Sequence, residues 1–153
     1  MSFAADAVYV GVEQRLSGDA TLTAKLTQDA SVTPAGVGIF AAGDVPEGQP
    51  LRDSATAPSR HGYIVIGASG EVPNDMFGQE GGDGTLRVTV HAWNKKWALT
   101  IAGMVHRLLH NSPVTISGHR TVEASCALLT DFADPGGGHT AHLEYAATTV
   151  VTG

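Results

Sequence analysis

The sequence predicts an α+β domain: an antiparallel sheet of about four to five strands packed on one face by two helices, with long loops. Three observations carry this. Two segments, one near the start and one past the middle, space their apolar residues at helical intervals. Residues from Gly84 to Trp93 alternate apolar and polar, the period of a half-buried strand. Two β-rich runs near the end are joined by Asp134-Pro135-Gly136-Gly137-Gly138, a hairpin turn signal. At 153 residues the chain makes one domain, 1–153, and is too short for two independent cores.

The elements follow in order. Ala4, Val8, Val12 and Leu16 form one stripe on a helix from Phe3 to Leu16. Ser17-Gly18-Asp19 stops it, with Gly18 expected in the left-handed conformation that ends helices. Leu22 and Leu26 point to one or two further helical turns. Val37-Gly38-Ile39-Phe40 reads as a short strand. A long irregular loop is expected over 41–62, because Val45-Pro46-Glu47-Gly48, Gln49-Pro50 and Ala57-Pro58-Ser59 are turn chemistry. Tyr63 to Ala68 is β-branched and compact enough for a central strand. A second long loop, acidic and glycine-rich, is expected over 72–84. In the next strand Leu86, Val88, Val90 and Ala92 share one face, and Arg87, Thr89, His91 and Trp93 the other.

Asn94 is a suitable N-cap for a helix from Lys95 to His110. Its apolar positions are Ala98, Ile101, Ala102, Val105, Leu108 and Leu109, one helical face. His106, Arg107 and His110 complement the dipole at its end, and Asn111 with Pro113 terminates it. Thr121 to Phe132 and His139 to Val151 then read as a pair of strands.

Composition narrows the function. Charged residues make up 16% of the chain, below the roughly 25% typical of soluble domains, which implies plain surfaces. Nine Lys+Arg against 15 Asp+Glu give a net charge of -6, so no broad basic footprint exists to grip nucleic acid. Cys126 is the one cysteine, which excludes an intramolecular disulfide or a multi-cysteine zinc site and fits a reducing compartment. Met1 to Asp6 lacks the basic start of a signal peptide, and no window approaches a membrane span. A soluble, non-secreted protein with no membrane partner is expected.

No catalytic constellation emerges. His106 and His110 are helically spaced for one metal, but the zinc-protease pattern needs Glu after the first His, where Arg107 stands. His139 and His142 would face opposite sides of a strand. Gly67-Ala68-Ser69-Gly70 lacks the spacing of a hydrolase elbow, and Gly81-Gly82-Asp83-Gly84 matches no phosphate loop. Cys126 lies in an apolar strand and reads as a buried, inert thiol.

Two features stand out. Lys95 and Lys96 occupy the first helical turn, where the dipole disfavours a cation by about 0.3 to 1 kcal/mol. The segment Glu71 to Asp83 carries Glu71, Asp75, Glu80 and Asp83. In a symmetric ring, one subunit's acidic loop would meet its neighbour's lysines; plain solvation of both is the simpler alternative. The same carboxylates offer oxygens to a divalent ion, although their spacing matches no EF-hand. No other cofactor is expected. Met76 and Phe77, apolar within this stretch, either dock into a partner or fold back on their own domain. Candidate interface residues are therefore Asp75, Met76, Phe77, Glu80, Asp83, Lys95 and Lys96.

The order of features along almost the whole chain resembles the tail completion, or tail terminator, family of long-tailed bacteriophages. It rests on the helix ending at Leu16, Asp19-Ala20 with Leu22, Gly38-Ile39-Phe40, Pro46, Tyr63 to Gly67, Leu86 to Trp93, the Ile101 to Leu109 helix, Gly118-His119, and Asp131 to Tyr145 with Asp134, Gly136 and His139. The extended 51–61 loop and the glycine-rich loop before Gly84 depart from the pattern. The resemblance implies a non-enzymatic homohexameric ring at the tail-neck junction of the virion, assembled in the host cytoplasm. Such a ring caps the head-proximal end of the tail tube, terminates its polymerisation and contacts the tail tube protein and the neck. Genomic DNA passes through its channel without specific binding. The alternative is a head-completion or neck protein of the same particle, which would bind heads and leave tube length unaffected.

Overall fold

The computed structural model describes residues 4–29, 36–51, 60–76, 79–111 and 118–151. Helix α1 spans Ala4–Ser17, α2 Ala20–Thr23 and α3 Lys95–Leu109. The strands are β1 (Gln28–Asp29), β2 (Gly36–Val37), β3 (Ile39–Ala41), β4 (Gly62–Met76), β5 (Gln79–Ala92), β6 (His119–Ala133) and β7 (His139–Val151). β1 and β2 pair as a small ribbon, and the other five strands form one sheet in the order β3-β4-β5-β7-β6. This is the expected α+β class.

Apolar alternation sets the layers. Leu86, Val88, Val90 and Ala92 of β5 pair in register with Tyr145, Leu143, Ala141 and His139 of β7, and all eight are buried. Against this face α3 sets Ala98, Ile101, Ala102, Val105 and Leu109, while α1 contributes Val8, Val12 and Leu16. The two helices are tied where the Arg15 guanidinium donates to the Leu108 carbonyl at 3.3 Å. Asn94 caps α3 as expected, its side chain accepting from the Trp97 N–H at 2.9 Å. Asn111, with φ of 54°, takes the left-handed conformation just past the helix end.

Several expectations need correction. The sheet is mixed, because β3 runs parallel to β4 with Ile39 opposite Ile64. A parallel return needs a crossover of a dozen or more residues, and the chain between Ala41 and Gly62 supplies it. Of that long loop, 52–59 lies outside the described residues.

The 72–84 segment is not a loop. β4 continues to Met76 and β5 returns from Gln79, with Met76 opposite Gln79 and Val72 opposite Asp83. Antiparallel pairing needs only backbone groups, so polar and glycine-rich sequence can still form it. Because β3 ends at Ala41 opposite Ile66, β4 is an edge strand from Gly67 onward, where Pro73 is tolerated.

Gly18 is not left-handed. α1 ends instead through bonds from the Gly18 and Asp19 N–H groups to Gln14 and Leu16 carbonyls. Asp19 then caps the additional short helix α2 through Thr21 N–H at 3.1 Å.

Candidate functional site

The sheet separates the two halves of the expected interface. Lys95 and Lys96 open α3 and are exposed. Asn94 fixes that first turn, which points the ring of Trp97 onto His61, stacked at 3.6 Å and 10°. The Lys96 ammonium lies 5.5 Å from the Trp97 ring centre, and that of Lys25 lies 5.7 Å from it. Each is within cation–π range, worth about 0.5 to 1 kcal/mol at exposed sites. Arg60, next to His61, donates to the Leu26 carbonyl at 2.8 Å and holds the segment carrying Lys25. The His61 N–H also donates to the Lys25 carbonyl at 2.8 Å.

Lys25 and Lys96 thus flank one indole, with Lys95 beside Lys96 in the first turn of α3 and Arg60 next to the stacked His61, a cationic cluster. Sequence reasoning found only the two adjacent lysines, since the rest arrive from segments far away in the chain. The usable signal was Trp97 directly after Lys96, where a flat aromatic face borders the helix start.

Asp75, Met76, Glu80 and Asp83 are placed by backbone register on the β4–β5 hairpin. Asp75 stands opposite Glu80, and Asp83 lies between Val72 and Thr148. Phe77 lies outside the described residues, as do the side chains of the other four and of Glu71. The expectations of an ion at these carboxylates and of a docking Met76-Phe77 pair therefore fall outside the described residues too. Among those that are described, no group of three His, Cys, Asp or Glu is disposed to hold a metal.

The sheet face opposite the helices carries a polar network. Thr140 donates its hydroxyl proton to the Asp134 carboxylate, at 2.8 and 2.9 Å from its two oxygens. With that proton used, His91 Nδ1–H is the donor to Thr140 Oγ1 at 3.2 Å. His142 Nδ1 shares a hydrogen bond with Thr89 Oγ1 at 3.1 Å on that face, and on the helix-covered face, where His139 pairs with Ala92, His139 Nε2 lies 3.0 Å from Asp131. Tyr63 stacks on His91 at 5.0 Å. These bonds fasten the β6–β7 turn to the sheet and orient both rings.

Burial lowers the His91 pKa from 6.5, Asp134 opposes that shift and His142 reinforces it. The fold therefore favours neutral His91. Its contribution is complete above 6.5 and is lost as pH falls through the lower folded value. Stability measured by urea unfolding should drop as pH is lowered below 6.5, and the drop should be smaller in His91→Gln.

His106 and His110 do stack, at 4.7 Å, but His110 Nδ1 accepts from the Cys126 N–H at 3.2 Å. That ring joins the end of α3 to β6. Cys126 is buried, and burial pushes its thiol up to about 11. It should stay unreactive toward a disulfide reagent at about pH 8 and react promptly once urea unfolds the chain.

Concavities also mark the described surface. An open cleft of about 520 Å³ is lined by Gly11, Gln14, Arg15, Gly18, Asp19 and Leu108. An apolar groove of about 300 Å³ between α3 and β6 is lined by Leu99, Ala102, Gly103, His106, Leu128 and Leu143. Among the described residues that line these two, no nucleophile has a base beside it.

Residues 12–150 match the family model described as tail completion protein gp17. The match defines the class, a structural protein of bacteriophage assembly. Within it, the chain belongs to the tail completion protein gp17 family. No curated protein matches the sequence. A chain from the structure described as the virion of a native gene transfer agent (GTA) particle is similar, with a TM-score of 0.69 and 19% identity over 98% of this chain and 99% of that one. The two share a fold.

Proposed function

We propose that this protein closes into a homohexameric ring on the head-proximal end of a tail tube, stops tube growth there and joins the tail to the neck. The observation that carries this reading is the family match over residues 12–150. Similarity to a chain of a phage-like virion supports a place in the particle. The work is done by interfaces, with no catalytic step. Cyclic closure caps a polymer because the outer face of the ring no longer repeats the tube's own surface. A net charge of -6 suits a channel wall that repels passing DNA. Asp75, Met76, Phe77, Glu80, Asp83, Lys95 and Lys96 are the candidates for lateral or tube contacts.

Native mass spectrometry of the purified protein over a concentration series tests ring closure. A species near six times 15.8 kDa, about 95 kDa, is the expected result. A protein that stays monomeric both alone and on tube ends would count against the proposal.

A further inference from the structure

We infer that the cationic cluster around Trp97 is the seat for the acidic end of the β4–β5 hairpin of a second copy of this chain. The inference rests on the ring reading and deepens it by assigning which surface of one copy meets which surface of the next.

β4 starts at Gly62, directly after His61 and beside Trp97, and ends at Met76. A strand of 15 residues covers roughly 45 Å at about 3.3 Å per residue, so a chain's own hairpin end cannot reach its own cluster. The two surfaces lie at opposite ends of one sheet. They can meet only between copies, in a head-to-tail contact, the type that closes rings when the rotation permits.

The hairpin is built to reach. β3 leaves β4 after Ile66, and the pairing of β5 with β7 begins only at Gly81 opposite Val150. Asp75, Met76, Gln79 and Glu80 are thus paired solely with one another.

Charge says what the hairpin end seeks. Between Ala68 and Leu86 the sequence has four carboxylates, Glu71, Asp75, Glu80 and Asp83, and no lysine or arginine. The register sets Asp75 opposite Glu80, and like charges directly opposite are unfavourable. The cluster has the complementary problem. Lys25 and Lys96 lie against the Trp97 ring with Lys95 beside them in the first turn of α3, and that first turn carries no acidic residue.

Among the described residues no carboxylate forms an ion pair with Lys25, Lys95 or Lys96. At the same end of the sheet, Asp131 is engaged by His139 and Asp134 by Thr140, while Asp19 caps α2. An arriving carboxylate would satisfy both the lysines and the positive end of the helix dipole.

Charge exchange tests this. Lys95→Glu with Lys96→Glu replaces cations by anions at a helix N-terminus, a gain that offsets the lost Lys96–Trp97 contact, and an unchanged urea midpoint of the monomer separates lost assembly from unfolding. Asp75→Lys with Glu80→Lys makes the opposite change. In native mass spectra at low salt, each pair alone should reduce the ring about tenfold or more, and equimolar mixing of the two variants should restore it, because copies that alternate around the ring set an acidic hairpin against a basic cluster and a basic hairpin against an acidic cluster in turn. All four changes in one chain should restore it. Carbodiimide coupling should give inter-copy links in the wild type and lose those at Lys95 and Lys96 in the first variant.

Either pair leaving the ring intact, or the four-fold variant failing to reform it, would overturn the interface while leaving the ring in place. A wild-type protein monomeric alone and on tube ends would instead overturn the ring reading, and the interface with it.

Discussion

Leu143→Ala should lower the stability of the fold by about 2 to 5 kcal/mol, the range for deleting a fully buried leucine. Leu143 lies on β7, a central strand, opposite Val88 on one side and Leu128 on the other, with 0% exposure. α3 covers it, so the vacated volume has little backbone freedom with which to collapse. Against a total of about 5 to 15 kcal/mol for a domain of this kind, the loss is severe. Leu128→Ala is the control, because that side chain is 46% exposed. Its cost should stay near the roughly 0.5 kcal/mol of a surface change. Equilibrium urea unfolding measures both, and equal losses would contradict the assignment of the core.

Gly62→Ala should cost about 1 to 3 kcal/mol, the range for overpacking, and should also disturb the cationic cluster. A Cβ at Gly62 would stand 2.3 Å from the His91 carbonyl oxygen and 3.0 Å from the Ala92 Cα. Both are backbone atoms, so no side-chain rotation relieves the clash. Three segments converge there. The Gly62 carbonyl accepts from the Thr27 N–H at 2.7 Å and from its hydroxyl at 3.3 Å, and Gly62 pairs with Ala92 across β5. Displacing this junction moves His61 away from Trp97. Urea unfolding together with near-ultraviolet circular dichroism checks both effects, and wild-type values in each would refute the close-packing argument.

What was legible in the sequence is what depends on near neighbours. The α3 helix could be read from Asn94 to Asn111 because cap, stripe and stop are local signals. The inward face of β5 could be read because alternation fixes it. The parallel pairing of β3 could not, since the register between Ile39 and Ile64 depends on contacts across a long crossover. Glycine and acidic residues made 72–84 look like loop, although the strands there are held by backbone pairing that side-chain types do not encode. The candidate site shows the same division. Lys95 and Lys96 were visible as an unfavourable pair at a helix start, whereas Lys25, Arg60 and His61 join Trp97 only through tertiary structure.

The central claim is that this protein caps a tail tube. The most direct measurement adds gold-labelled protein to purified, growing tail tubes and images them by negative-stain electron microscopy. The account predicts label at one end of each tube, the head-proximal one, with elongation stopped there. Unlabelled ends on tubes that continue to lengthen would contradict it.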